Sequence, residues 1–307
     1  MIRTLEDVSR LAQEKGPKKL AVLAPEDGEF MLAVKKAREA GYIEPVLIGD
    51  PQKIKRVAAE AAFDINGIEL ISETDRQAVA NMGTAMLFAG DVDMAGKGQI
   101  PTAYIYRAII REETKAGTGR TISVVSLWEI PELKRFTAFT DTGVNIRPDM
   151  KAKVEVVKNA VFFFHVLGYV RPRIAVLSGK REIGGAPASF RDAEALRKMA
   201  AAGDFGECEI IAATSFAEIF SGTDGAPQNG NQMDMSRLPE ILLVPNLDTG
   251  NILCKLDFFL PVYRRSLVMT SGGPFIIPSR SDFCDSILGE FAMGVVVADR
   301  MLGGKKR

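Results

Sequence analysis

Residues 271–292 (SGGPFIIPSRSDFCDSILGEFA) have the types and spacing best suited to chemistry in this chain of 307 residues. A short apolar run ending at Pro278 predicts a buried strand, and Ser281 or Asp282 is expected to be the N-cap of the helical pattern that follows. Backbone N–H groups and the positive end of a helix dipole converge at such a turn, and Arg280 adds a donor fork suited to phosphate. The stretch is typical of an anion site, although an ordinary capped strand–helix connection fits it equally well.

A second polar segment is Gly96-Lys97-Gly98, which predicts a flexible turn that presents a cation. The proline at 101 suits the first turn of a helix, from whose first two turns Thr102, Tyr106 or Arg107 is expected to face the same cleft. The segment is not a P-loop, because Asp91 stands where the Walker spacing requires glycine. The sequence also contains no GxGxxG, GxSxG or HExxH motif.

The composition excludes several function classes. Thirty-nine basic residues balance thirty-nine acidic ones, so no overall charge favours nucleic acid or an anionic membrane. Three cysteines and a single histidine lack metal-binding spacing, so no metal is expected. No signal peptide or membrane-spanning run is recognisable, and the unpaired cysteines are typical of a reduced compartment, so a cytoplasmic location is expected.

The order of apolar runs predicts an α/β fold. Three apolar runs without polar alternation predict strands, at residues 20–24, 46–48 and 68–71. Helical segments separate them. This pattern indicates a doubly wound parallel sheet. A polar loop at 140–149 precedes a long helix, which predicts a first domain of residues 1–149 plus 269–307 and a second of residues 150–268. Further helices are expected at 215–220 and from the mid-240s to about Arg264, with a polar loop at 221–236.

Six segments in order resemble the phosphate acetyl/butyryltransferase family, more its butyryl branch, over nearly the whole chain. They are the opening βαβ of residues 24–54, KGQ-x-x-T within 91–109, D-x-x-x-N-x-x-P within 140–149, the strand of 171–182, P-N-x-x-x-G-N-x-x-x-K within 241–255, and S-R-x-D within 278–282. The resemblance implies reversible transfer of a short-chain acyl group between coenzyme A and inorganic phosphate. It further implies a two-domain, isocitrate/isopropylmalate dehydrogenase-like fold with an interdomain cleft, a homodimer or higher homo-oligomer, and coenzyme A as a substrate with no separate cofactor.

The family's functional residues map onto matching positions of this sequence. Ser279 and Arg280 match the pair at the reaction centre, and Arg107 matches an arginine five residues after the cleft threonine. Substrate-binding positions are expected at Lys97, Gly98, Thr102, Arg107, Asn145, Asn251 and Lys255.

Catalysis also needs a proton acceptor. A thiol with a pKa of about 8.5 is only a few per cent ionised at neutral pH, so coenzyme A needs a base or a positive field. Asp282 or Asp285 is expected to accept that proton, and the Ser279 hydroxyl or a backbone N–H to stabilise the oxyanion. Asp141 and Asn145 could orient the cleft or cap their own loop. Cys284 is expected to be a buried structural thiol rather than a nucleophile.

The sequence departs from the family where a G-P-L-A-x-D-like segment is usual, because residues 213–220 and the following polar loop occupy that place. Gly96 also stands where a bulkier apolar residue is common. A non-catalytic or substrate-shifted homologue that binds coenzyme A or acyl phosphate is therefore an alternative. A dehydrogenase on the same fold is disfavoured, because it would need a metal-binding aspartate cluster that the sequence does not show.

Overall fold

The structure is a computed structural model that describes residues 1–179, 188–215, 219, 237–279 and 281–305. Arg280, most of the helix expected at 215–220 and the loop expected at 221–236 lie outside the described residues. The helices are α1 (Leu5–Lys15), α2 (Gly28–Glu39), α3 (Pro51–Glu60), α4 (Arg76–Ala89), α5 (Thr102–Ala116), α6 (Met150–Val166), α7 (Ala188–Ala201), α8 (Leu247–Cys254) and α9 (Cys284–Lys305). The strands are β1 (Lys18–Leu23), β2 (Ile43–Gly49), β3 (Glu69–Ser72), β4 (Met94–Lys97), β5 (Ser123–Ile130), β6 (Arg135–Thr140), β7 (Arg173–Leu177), β8 (Glu209–Thr214), β9 (Ile241–Leu243), β10 (Tyr263–Met269) and β11 (Pro274–Ile276).

The chain divides into two compact units, and the first comprises Leu5–Ile122 and Arg265–Arg307. Its strand order is β3-β2-β1-β4-β11-β10. The pairs from β3 through β11 are parallel, and β10 pairs antiparallel with β11. Strand β1 is buried along most of its length, and it pairs in parallel with β2 and β4, which confirms the predicted α/β fold with a central sheet.

The second unit comprises Met1–Thr4 and Ser123–Arg264. Its strand order is β5-β6-β9-β7-β8, with an antiparallel β5–β6 hairpin and parallel pairs elsewhere. The core beside this hairpin contains Trp128 and Phe139, whose ring centroids lie 5.0 Å apart in an edge-to-face pair.

The division falls before β5, whereas the sequence placed it after β6, at residues 149–150. The reason is pairing: β6 forms a parallel ladder with β9, so the β5–β6 hairpin belongs with the later strands. The other end of the second unit falls inside β10, close to the expected position.

Two local predictions were wrong. Gly96 and Lys97 of the predicted turn are in fact the end of β4, where Gly96 pairs with both Val22 and Ile276, and only Gly98 lies in the bend after it. The helix expected to reach Arg264 ends earlier, and Tyr263–Met269 is a strand fixed by the pairing of Val268 with Phe275.

The expected N-cap of the last helix was also wrong. Helix α9 begins at Cys284, whose backbone N–H donates to a carboxylate oxygen of Glu29 at 2.7 Å. Glu29 lies in the first turn of α2. A side chain distant in sequence therefore accepts the N–H group at the start of α9, where Ser281 or Asp282 was expected to cap the helix. Within the described part of the chain, no helix is long and apolar enough to cross a membrane.

Candidate active site

Three neighbouring parallel strands of the first unit end at one edge of the sheet. Leu23 of β1 pairs with Lys97 of β4, and Gly96 pairs with Ile276 of β11. The loops that follow these strands therefore leave the sheet side by side. The carboxyl edge of a parallel sheet is the usual place for ligands in open α/β folds.

The loops enclose a cavity of about 670 Å³, a volume typical of small-molecule sites. Every lining residue belongs to the first unit. The wall is formed by Asp27, Phe30, Lys97, Gly98, Gln99, Ile100, Pro101, Thr102, Pro278, Ser279, Asp282 and Ile287. The structure thus brings together Lys97, Gly98, Thr102, Ser279 and Asp282 from the predicted set.

Gly98 is required by the close approach of two loops at the cavity wall. Its backbone N–H donates to the Leu23 carbonyl at 2.8 Å, and a Cβ at this position would lie 2.4 Å from the Ala24 carbonyl oxygen. The neighbouring Gln99 N–H also donates to Ala24 at 2.9 Å. A side chain at 98 would separate the loop after β4 from the loop after β1.

The glycine at position 96 is not explained by a close backbone approach of this kind. A Cβ there would lie 3.4 Å from the Phe291 ring and 3.5 Å from the Phe30 ring, which are ordinary contacts. Those rings pack edge to face at 5.6 Å. The aromatic pair fills space beside β4, which accounts for the absence of a bulkier residue at 96.

Lys97 and the start of α5 supply the positive character of the cavity. Lys97 is half-buried at the end of β4, and its Nζ lies 3.4 Å from the Gly98 carbonyl oxygen. Pro101 and Thr102 line the cavity where α5 begins, and among the described residues no side chain caps this helix. The first N–H groups of α5 and its dipole thus favour an anion at this wall.

The turn after β11 contributes a hydroxyl and a carboxylate. Asp282 accepts the Ser279 backbone N–H at 2.7 Å, and Asp282 donates its own N–H to the Ser279 carbonyl at 3.0 Å. The Ser279 and Ser281 hydroxyl groups lie 3.1 Å apart. These bonds hold the Ser279 side chain at the cavity wall, and they show Asp282 closing a turn rather than capping a helix.

Two predicted residues of the first unit lie away from the cavity. Asp285 is exposed and forms an ion pair of 3.1 Å with Lys36. Arg107 is exposed on α5, with its guanidinium carbon 5.0 Å from the centre of the Tyr104 ring. Neither lines the cavity. Arg280 stands in the sequence between Ser279 and Asp282, which line the cavity, but it lies outside the described part of the chain.

Asn145 belongs to the second unit, where it helps to hold a loop. The side-chain nitrogen of Asn145 donates to Asp141 at 2.6 Å. Asp141 is buried after β6 and also accepts backbone N–H groups from Val124, Gly143, Val144 and Asn145. Burial raises the pKa of Asp141, and these hydrogen bonds oppose the rise. These contacts show Asp141 and Asn145 capping their own loop, which is the second of the two interpretations given for this pair.

Asn251 and Lys255 are exposed at the end of α8 in the second unit. The Lys255 ammonium lies 6.0 Å from the centre of the Phe258 ring. The glycine of the same motif has a packing role, because a Cβ at Gly250 would lie 2.7 Å from the Asp141 carbonyl oxygen. The motif therefore seats α8 against the Asp141 loop.

Sequence reasoning missed Asp27 and Gln99. The Asp27 carboxylate accepts the Phe30 N–H at 3.0 Å as the N-cap of α2 and the Gln99 side chain at 3.3 Å. A signal was present, because Asp27 follows an apolar strand and precedes a glycine and a helical pattern. Gln99 stands in the KGQ-x-x-T segment, but it was not among the predicted substrate-binding residues.

The three cysteines are expected to react slowly with thiol reagents in the folded protein. Cys208, Cys254 and Cys284 are free and buried. Burial raises the pKa of each thiol, and at Cys284 the Lys36 ammonium opposes that rise. Titration with a chromogenic disulfide should show fast reaction of all three only after denaturant is added. Fast native labelling of Cys284 would show instead an exposed, activated thiol.

Comparisons with known proteins place this chain among related sequences and structures. A family described as "Phosphate acetyl/butaryl transferase" matches residues 72–276. The chain is 26% identical to a phosphate butyryltransferase of Clostridium acetobutylicum, over 97% of the chain and 99% of that protein. It is 30% identical to a phosphate acetyltransferase of Rickettsia felis, over 88% of the chain and 77% of that protein.

The fold is similar to that of a branched-chain phosphotransacylase from Enterococcus faecalis V583. The TM-score is 0.71 at 24% identity, with 91% of this chain and 100% of the other covered. At that identity the likeness concerns the fold, a mixed α/β structure.

Proposed function

The chain belongs to the phosphate acetyl/butyryltransferase family, and we propose that it is an acyltransferase that moves a short-chain acyl group reversibly between coenzyme A and inorganic phosphate. The observation that carries this proposal is the cavity of the first unit. There, the lysine of KGQ-x-x-T and the serine of S-R-x-D line one wall together. Two motifs far apart in sequence thus meet in one small-molecule site.

In the direction of acyl phosphate synthesis, a phosphate oxygen attacks the thioester carbonyl carbon. A C–O bond forms, the carbonyl oxygen becomes an oxyanion, and the C–S bond then breaks to release the thiolate of coenzyme A. In the reverse direction the thiolate attacks the acyl phosphate and phosphate leaves. Most of the catalysis is the positioning of two anionic substrates.

Lys97 and the N-terminus of α5 hold the phosphate in this scheme. The ammonium supplies a point charge, and the N–H groups at the helix start supply directed donors. Thr102, the first residue of α5, adds a hydroxyl at the same wall. Gly98 keeps the two loops close enough for these groups to act on one ligand.

Ser279 and Asp282 act on the reacting carbonyl and the thiol. The Ser279 hydroxyl donates to the oxyanion, a contribution on the order of 3 kcal/mol for such donors. Asp282 accepts the proton of the coenzyme A thiol in the reverse direction. It is favoured over Asp285 because Asp282 lines the cavity, whereas Asp285 is paired with Lys36 on the surface.

The roles of Arg280, Arg107, Asn145, Asn251 and Lys255 rest on the sequence match alone. Arg280 is proposed to clamp phosphate beside Ser279, and Arg107, Asn251 and Lys255 to contact coenzyme A or phosphate; Asn145 is proposed to act through the loop that it holds with Asp141. The scheme uses coenzyme A as substrate and calls for no resident cofactor or metal. The isocitrate/isopropylmalate dehydrogenase-like description of the fold likewise rests on the sequence resemblance.

The proposal is tested by incubating the protein with phosphate and a panel of acetyl-, butyryl- and branched acyl-CoA. Free thiol is followed optically, and acyl phosphate is trapped as the hydroxamate. Equal amounts of thiol and hydroxamate, dependent on phosphate and lost in Arg280→Ala, support the proposal. Tight coenzyme A binding without release on the whole panel would favour the non-catalytic alternative instead. Thiol release without hydroxamate would indicate simple hydrolysis.

We further propose that the protein forms a homodimer in the cytoplasm. The second unit exposes apolar side chains in consecutive positions after α8, with Phe258 62%, Phe259 85% and Leu260 45% accessible. A monomer rarely exposes such an apolar run, so we expect another protein surface to cover it. The family resemblance implies that this surface belongs to a second copy of the chain. The three free, buried thiols support a reduced compartment.

Phe259→Glu is expected to convert the dimer to monomer without unfolding it. A carboxylate at the centre of an apolar contact is desolvated on association, while the exposed monomer surface tolerates it. Light scattering after gel filtration measures the mass, and circular dichroism checks the fold. Ile110→Glu, which changes another exposed apolar residue, is the control. A monomeric wild type would contradict the dimer.

A further inference from the structure

The second unit has a cavity of its own at the opposite edge of its parallel strands. Its volume is about 520 Å³, within the range of small-molecule sites. Strands β6, β7 and β8 begin at Arg135, Arg173 and Glu209, and Glu240 immediately precedes β9; all four residues line the cavity. These strands are parallel, so the cavity lies at their amino edge. The proposed chemistry belongs to the first unit and does not use it.

The side chains around this cavity are mostly cationic. Five carry a positive charge: Arg3, Lys134, Arg135, Arg171 and Arg173. Two carry a negative charge, Glu209 and Glu240, which leaves an excess of three positive charges. In a chain whose total charge is zero, this is a local accumulation that favours an anion.

Glu240 fixes two of the arginines instead of neutralising the cavity. It accepts hydrogen bonds from the Arg173 backbone N–H at 2.9 Å and the Arg173 Nε at 3.3 Å, and it is ion-paired with Arg135. Both guanidinium groups also donate to the Leu238 carbonyl, at 2.7 Å from Arg135 and 2.9 Å from Arg173. The two planar groups are therefore held in place before a ligand arrives, which lowers the entropic cost of binding.

The other cations are at the rim. Arg171 lies 3.9 Å from Glu209 in an exposed pair, which contributes little to stability. Lys134 is exposed and forms no ion pair within the described part of the chain. Both can turn toward a ligand at small cost.

Tyr169 gives an independent indication of a ligand. Its side chain lines the cavity, only 7% of the residue is exposed, and its hydroxyl has no hydrogen-bond partner among the described residues. The ring packs edge to face on Phe164 at 5.1 Å, so the hydroxyl is held in position. Burial raises the pKa of Tyr169. A buried hydroxyl left without a partner costs free energy that a polar ligand would recover.

We propose that this amino-edge cavity binds a small molecule that carries a diphosphate group. Three excess positive charges match the charge of a diphosphate, and the fixed guanidinium groups of Arg135 and Arg173 place two of the cations at the cavity wall. The Tyr169 hydroxyl donates to a bridging or terminal oxygen. Apolar surface from Leu133 and Val170 lies beside the charged part and suits an organic substituent.

The test is isothermal titration of the full chain with inorganic pyrophosphate and, separately, with ADP. Both probes carry the diphosphate group. Tighter binding of ADP would identify the ligand as an organic diphosphate. Equal affinities would identify it as the inorganic ion. The double variant Lys134→Glu with Arg171→Glu should weaken binding at least about tenfold at low salt, with a smaller effect at high salt. Tyr169→Phe should weaken it about fivefold, as expected for one lost hydrogen bond.

Two controls separate this site from the candidate active site. Lys198→Glu reverses an exposed charge on α7 and should leave binding unchanged. Lys97→Met removes the cation that lines the candidate active site and should also leave diphosphate binding at the amino-edge cavity unchanged, while the double variant should keep full acyl transfer. No heat with either probe, or binding that the double variant keeps and Lys97→Met loses, would overturn the proposal. Neither outcome depends on whether the first unit transfers acyl groups.

Discussion

Lys97→Met is expected to lower kcat/KM for phosphate by about 10³-fold, the loss typical of removing one preorganised charged donor. The ammonium is half-buried at the end of β4 and lines the cavity with Ser279 and Thr102. Methionine keeps the length and apolar stem of the side chain, so the fold should be retained. Initial rates over a range of phosphate and acyl-CoA concentrations measure the effect.

The matched control for this variant is Lys55→Met, which changes an exposed lysine on α3. It should be indistinguishable from wild type. Retention of the wild-type KM for phosphate by Lys97→Met, with a loss of less than about tenfold in kcat/KM, would remove Lys97 from the site.

Gly98→Ala is expected to destabilise the protein by about 1–3 kcal/mol, as overpacking does. It should also lower kcat by at least about 100-fold, because a displacement on the order of 1 Å is enough to misalign reacting groups. The reason is geometric: the new Cβ would lie 2.4 Å from the Ala24 carbonyl oxygen and 3.1 Å from its carbon, both of them backbone atoms. The loops after β1 and β4 must therefore separate. Thermal unfolding and steady-state rates measure the two effects.

Gly28→Ala is the matched control, because Gly28 lies in the same region at the start of α2 and a Cβ there meets nothing within 4 Å. Its stability should be equal or slightly greater, since alanine is the better helix former. A Gly98→Ala protein with wild-type stability and rate would show that the loops can part without consequence for the site.

The parallel α/β part of the fold was predictable from the sequence because its signals are local. The apolar run of β1 is continuous, and Asp27, Asp50 and Asp75 each stand just before a helical pattern. The side chain of each of these aspartates accepts a backbone N–H as an N-cap.

The elements that were missed depend on distant partners. Strand β4 is four residues long and contains Gly96, and it is a strand because β1 and β11 pair with it on either side. Strand β10 follows a segment with helical spacing and is fixed by its pairing with β11. The N–H of Cys284 is bonded by Glu29, which is 255 residues away in sequence. No local pattern encodes such contacts.

The candidate site was predictable in part for the same reason. Motif positions identified Lys97 and Ser279, and the pairing of β4 with β11 brings their strands together. Arg107 was selected by its match to a family arginine and Asp285 as a proton acceptor near the capping turn, but both side chains are exposed away from the cavity. Asp27 was missed because it lies in the loop after a third strand, β1, and only the sheet order places β1 beside β4.

The position of bound phosphate tests the central claim most directly. A crystal structure of the protein with phosphate and a non-reactive coenzyme A analogue would locate it. We predict phosphate in the cavity of the first unit, within hydrogen-bond distance of the Lys97 ammonium, the Ser279 hydroxyl and the first N–H groups of α5. Phosphate held elsewhere, with this cavity filled only by water at saturating ligand, would contradict the account.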